Sequence, residues 1–120
     1  MSKNKCSGLC APAINVSATV VGNVAKARKA TPLYSGVRVY FPDALEAVAR
    51  VSMAGNEQHN PGTDLHWDRS KSGDELDAAD RHLNDRAKGQ VYDTDEQRHL
   101  AKAAWRILGA LQKEIENHRA

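Results

Sequence analysis

Between Gly55 and Ser72 the chain concentrates the side chains that a nucleotide would use. Asn56, Gln58 and Asn60 carry amides, His59 and His66 imidazoles, Trp67 an indole, and Arg69 and Lys71 positive charge. An indole stacks on a base, amides read a base edge, and cationic or imidazole groups meet phosphate oxygens. A plain connection needs none of this, and binding chemistry gathers on loops held by rigid elements. Each residue also has an ordinary reading: Trp67 as a core anchor, Pro61-Gly62 as a turn, Asp68 as a surface partner of Arg69 or Lys71. The density of groups marks the segment more than any one of them.

Acidic pairs flank it, Asp43-x-x-Glu46 before and Asp74-x-x-Asp77 after. Magnesium sites for phosphate chemistry use a few carboxylates and leave the remaining positions to water and substrate phosphates. Two such pairs facing one another across a groove could hold an ion that activates water for phosphoanhydride cleavage. Helix starts attract acids as well, so Asp43 and Glu46 are equally explained as a capping box. Asp80 follows Asp74 and Asp77 at the same spacing, close to the expected buried line of its helix. There it is either the partner of an Arg or part of a site. Arg81 and His82 come directly after it.

A third set, His99, Lys102, Arg106 and Lys113, aligns at about 100° per residue on the side of a helix opposite its apolar stripe. Such a ridge is either solvated surface or a phosphate wall built on charge-assisted hydrogen bonds.

Helices must position these groups. The first is expected to begin at Pro42-Asp43, with Asp43 as N-cap and Glu46 as its capping-box partner. Leu45, Val48, Ala49 and Ser52 then share one face, and Gly55 is the exit. The second begins at Ser72 with Glu75 in the capping-box position, buries Leu76, Ala79, Leu83 and Ala87, and ends at Lys88-Gly89. The third runs from Asp93 to Glu96 as far as about His118 on a stripe of Leu100, Ala103, Ala104, Ile107, Leu111 and Ile115. Ala101, Trp105 and Leu108 widen that stripe beyond the roughly 100° arc a single buried face needs. The excess predicts a central helix or one that also packs on another subunit. Val37, Val39 and Phe41 alternate with Arg38 and Tyr40, as in one short strand.

The fold class expected is mainly α: a three-helix core with an N-terminal extended arm or small β element, in a homo-oligomer, a dimer or higher. Residues 1–34 form the arm and 35–120 the helical nucleotide-binding domain. At 120 residues and 41% hydrophobic content the chain suits one compact domain. Seventeen Lys plus Arg against fifteen Asp plus Glu leave +2, too little to wrap a nucleic-acid polymer. Cys6 and Cys10 lack the further ligands of a structural zinc site and read as free thiols. No apolar run approaches ~18 residues and no export signal is evident, so a cytoplasmic protein without membrane contact is expected.

The run from Gly55 to Gly62, the stretch His66-Trp67-Asp68-Arg69-Ser70-Lys71-Ser72, then Asp77, Arg81-His82-Leu83 and Arg98 to Arg106 carry a family resemblance. Taken in order, they resemble small bacteriophage proteins labelled dATP/dGTP diphosphohydrolase-like, MazG-like handlers of purine nucleotides. The resemblance spans Arg28 to Glu116 and implies a viral protein that acts on purine nucleotides in an infected bacterial cell, nominally by removing pyrophosphate. Its nucleotide-binding set here would be Asn56, His59, Asn60, His66, Trp67, Arg69, Lys71, Arg81, His82, His99, Lys102 and Arg106.

Two functions are compatible with this. In the first, Mg²⁺ or Mn²⁺ is held by Glu46, Glu57, Asp74 and Asp77, with Asp74 and Asp77 catalytic, and the protein is a pyrophosphohydrolase that reshapes the nucleotide pool. In the second, no cofactor is needed, and the protein is a sponge that sequesters a cyclic nucleotide or ADP-ribose derivative used as an immune signal.

Overall fold

The computed structural model describes residues 21–71 and 73–119. Cys6, Cys10, the arm up to residue 20 and the expected cap Ser72 lie outside these residues. The chain divides into two compact units, one ending at Tyr40 and one beginning at Phe41. In the first, α1 spans Val21–Lys29 where extended chain was expected. The expected strand around Val37 is instead a π-helical turn, Tyr34–Arg38, closed by the Val39 N–H on the Tyr34 carbonyl at 2.9 Å. Alternating side chains make a strand only where a neighbour completes its ladder. No strand occurs among the described residues, and one isolated bridge joins Tyr92 to Arg98.

The second unit holds α2 (Pro42–His59), a 3₁₀ turn (Arg69–Lys71), α3 (Glu75–Ala87) and α4 (His99–Arg119). α4 packs most closely against α3 and also against α2. α2 begins one residue before the expected cap: Phe41 occupies the N-cap position, where a phenyl ring supplies no capping oxygen, and Pro42 supplies a first-turn φ already set for a helix. Asp43 lies in the first turn, where the helix dipole favours it. Gly55 does not end α2. One glycine costs a helix about 1 kcal/mol, whereas Pro61 disfavours helical backbone in the residue before it, and the helix stops at Asn60. Asn56 to His59, expected in a loop, therefore sit on a rigid last turn.

α3 has Asp74 as its N-cap. It ends as expected at Lys88-Gly89, in a Schellman arrangement: the Gly89 N–H reaches the Arg86 carbonyl at 2.9 Å and the Gln90 N–H the Asp85 carbonyl at 3.1 Å. Gly89 takes φ +94°, open to glycine. Asp93 to Glu96, expected to start the third helix, form a turn that precedes α4. It is closed by the Asp93 N–H on the Gln97 carbonyl at 2.8 Å.

Of the expected stripes of α3 and α4, Ala79, Ala101 and Ala103 are buried but the large aliphatic side chains are not. Leu76 and Leu83 on α3, and Leu100, Ile107, Leu108, Leu111 and Ile115 on α4, are exposed. Asp80 is exposed too, so it needs no buried partner. The buried apolar core of the described residues is Ala78, Ala79, Ala101 and Ala103, with Asn56, Glu75 and His99 buried beside it. His99, Lys102, Arg106 and Lys113 thus face the other helices of their own unit, and the aliphatic stripe faces outward. Small residues let α3 and α4 approach closely, and polar pairs fill the remaining space.

Candidate functional site

A cleft of about 260 Å³ opens in the second unit. The last turns of α2 supply Ser52, Gly55, Asn56 and His59 to its wall. The following loop supplies Asn60, His66, Trp67 and Asp68, and the 3₁₀ turn adds Lys71. α3 contributes His82 and the turn before α4 contributes Asp95. α4 closes the wall with Lys102, Trp105 and Arg106. Asn56, His59, Asn60, His66, Trp67, Lys71, His82, Lys102 and Arg106, all expected to meet a nucleotide, are therefore brought to one place.

The loop keeps its shape through its own polar groups. Asn56 Nδ2 donates to the Thr63 carbonyl at 3.2 Å, and Thr63 Oγ1 donates to the Asn60 carbonyl at 2.7 Å. Asp68 accepts from the hydroxyl and the N–H of Ser70 at 2.6 and 3.2 Å, and these bonds, the hydroxyl foremost, hold its carboxyl below the ordinary range. Arg69 grips Glu116 of α4 with both terminal guanidinium nitrogens, Nη1 and Nη2, and lies over the Trp67 ring, 4.2 Å from its centroid. Trp105 meets Trp67 edge to face at 5.9 Å. Gly109 leaves room for this packing, since a Cβ there would stand 3.3 Å from Trp67 Cζ2. Trp67 is therefore a wall of the cleft, fixed by a cation and a second indole. Trp105 is a wall residue that the sequence assigned to the apolar stripe; its aromatic type beside Arg106 was the available signal.

Two buried polar atoms in this wall have no hydrogen-bond partner among the described residues, Asn56 Oδ1 and Trp67 Nε1. The bond from Asn56 Nδ2 to the Thr63 carbonyl sets the amide so that its oxygen is the acceptor left over.

The cations are unevenly committed. Lys102 is held at 2.7 Å from Asp93 and 2.8 Å from Asp95. Partial burial opposes its charge, yet the two carboxylates raise its pKa above the ordinary lysine value. Its bond in turn brings Asp93 down to about 2. Lys113 pairs at 2.7 Å with Glu75, which is buried. Among the described residues Arg106 pairs more loosely with Asp74, at 3.8 Å, and Lys71 with Asp68 at 3.7 Å and Asn60 at 3.4 Å. Arg106 and Lys71 are the cations best able to turn to an anion in the cleft.

The other expected site residues lie apart from the cleft wall. Arg81 bonds Asp74 at 3.0 Å, which holds that carboxyl below its usual range, with Arg106 adding to the effect. Glu46, Glu57 and Asp77 are exposed on their helices. Among the described residues, Glu46, Glu57, Asp74 and Asp77 do not gather into a group able to hold an ion. The group that does is His82, Asp93 and His99. His82 Nδ1 stands 2.9 Å from His99 Nδ1, and burial, helped by Lys102 and His99, lowers the His82 pKa.

Residues 23–120 match the protein family described as dATP/dGTP diphosphohydrolase, N-terminal. Among curated proteins and among solved structures, nothing matches the chain.

Proposed function

Because the chain belongs to the dATP/dGTP diphosphohydrolase N-terminal family, we propose that its cleft binds a purine deoxynucleoside triphosphate as a step towards release of pyrophosphate. The unpartnered pair Asn56 Oδ1 and Trp67 Nε1 carries this reading. A buried polar group left unsatisfied costs about 1–3 kcal/mol, so a native structure that keeps an acceptor and a donor in one cleft wall has a use for them. The Watson–Crick edge of either purine offers a neighbouring donor and acceptor. The cleft volume, a little under the roughly 300 Å³ at the small end of ligand pockets, suits a base and sugar with the phosphates at the mouth. Lys71, Arg106, His59 and His66 stand ready for those phosphates.

Mg²⁺ or Mn²⁺ is the ion expected for such a reaction, but Glu46, Glu57, Asp74 and Asp77 do not fit one hard-cation site within this chain. That dispersal favours a second reading, in which the same cleft binds a nucleotide without cleaving it. The deciding experiment is calorimetric titration of the full chain with dATP and dGTP, then chromatography of the nucleotide after incubation with Mn²⁺. Binding with release of pyrophosphate supports the first reading, and recovery of intact nucleotide the second. Arg106→Ala should weaken binding about tenfold or more, the worth of one charge-assisted contact. An absence of any binding overturns both.

We propose in addition that a second copy covers the aliphatic face of α3 and α4. Its seven large exposed side chains, Leu76, Leu83, Leu100, Ile107, Leu108, Leu111 and Ile115, exceed what isolated surface residues require. A net charge of only +2 opposes self-association weakly.

A further inference from the structure

We propose that His82, His99 and Asp93 bind one divalent transition ion of the Zn²⁺ class beside the nucleotide cleft. One ligand atom from each lies within 4.8 Å of the other two. The 2.9 Å between the Nδ1 atoms of His82 and His99 is the spacing of two ligands on a single ion. Nitrogens about 2.0–2.1 Å from Zn²⁺ stand about 2.9 Å apart at a right angle and about 3.4 Å apart at the tetrahedral angle. Two imidazoles and one carboxylate form a donor set suited to Zn²⁺, Co²⁺ and their neighbours, whereas Mg²⁺ takes oxygen.

Charge around the cluster agrees. Asp85 lies 4.0 Å from His99 Nδ1, and Asp93 and Asp95 share Lys102. Three carboxylates against one ammonium leave two negative charges near the cluster. Asp93 is already oriented for the task, because it accepts from the Thr94 N–H at 2.7 Å and from Lys102 at 2.7 Å. Such outer-shell bonds fix a metal ligand's direction. Among the described residues His99 is the largest fully buried side chain, beside the buried alanines, so its ring atoms need a partner inside the protein. Three protein ligands leave at least one coordination position open. Because His82 lines the cleft, an ion held by it would lie beside the place proposed for the nucleotide. Binding of the ion stands independently of the nucleotide reading, and only its use on a phosphate rests on that reading.

The test is titration of the full chain, without nucleotide, with Co²⁺ followed by visible absorption and with Zn²⁺ followed by calorimetry. Saturation at one ion per chain is expected. His82→Ala and Asp93→Asn should each lower affinity at least about 100-fold, the upper end of what outer-shell changes do, and Cys6→Ser with Cys10→Ser should leave it unchanged. In the unmodified chain, ¹⁵N spectra of the two imidazoles should show both Nδ1 resonances moving to metal-bound positions as Zn²⁺ is added. This measurement needs no variant to fold. An N–H···N coupling between His82 and His99 that persists at saturating Zn²⁺ overturns the proposal, as does Co²⁺ absorption that survives His82→Ala. Failure of nucleotide binding with Co²⁺ binding intact strikes only the functional reading.

Discussion

Asn56 is held by a single donor bond to Thr63, and its oxygen has no partner among the described residues. Asn56→Leu removes that unsatisfied oxygen and the bond together, two effects of about 1 kcal/mol and opposite sign. Denaturant titration should therefore show a stability change within about 1 kcal/mol, while calorimetry shows dATP affinity falling about tenfold or more. A variant that loses several kcal/mol without losing affinity would make Asn56 a structural residue only. Trp67→Phe keeps the ring under Arg69 and deletes the indole donor, and the same two measurements apply to it. The chemistry of these residues was legible from their types. Their availability was not, because Lys102 and Lys113 belong to the same basic set as Arg106 yet are bound by Asp93, Asp95 and Glu75. Pairings that reach from one helix to a turn or to a neighbouring helix leave no mark in residue spacing.

The loop after α2 is fastened to α4 by Arg69 on Glu116, with Gly109 making room for Trp67. Arg69 brings the Glu116 carboxyl from 4.5 down to about 2, with Gln112 adding to the effect. A carboxyl lowered on folding stabilises above its unfolded value and loses that contribution as pH falls through its folded value. The clasp should thus be complete above pH 4.5 and released as pH falls towards about 2. Trp fluorescence should follow that release, and Glu116→Gln should abolish the transition. Gly109→Val places branched carbons against Trp67 and Glu75 and should cost about 1–3 kcal/mol, the usual penalty of overpacking, read as a lower denaturation midpoint. Periodicity identified α2, α3 and α4 and the Gly89 stop of α3. It misplaced the end of α2, since Gly55 is tolerated and Pro61 decides. It also read a π-helical turn as a strand, because alternation at Val37, Val39 and Phe41 carries no information about a ladder partner.

At the scale of the whole molecule, the same helical period that located α4 could not say which of its two non-random faces belongs inside. Leu100, Ile107, Leu108, Leu111 and Ile115 form the more apolar face, but α3 and α2 pack against the one that carries Ala101, Ala103, Gly109 and the polar groups. The buried apolar core of the described residues, four alanines, is small for a folded unit, because burial of apolar area contributes only about 25 cal/mol per Å². Much of the apolar surface that could stabilise this chain therefore remains on the outside of a single copy. If a second copy covers it, the thermal midpoint should rise with protein concentration, as mass action requires when folding and association are linked. Sedimentation should give at least a dimer. Ile107→Lys with Leu111→Lys, on the face away from the cleft, should yield a monomer with a lower midpoint that no longer depends on concentration. A double variant that sediments like the unmodified chain and melts at the same temperature would mean that the aliphatic face of α4 is not the interface.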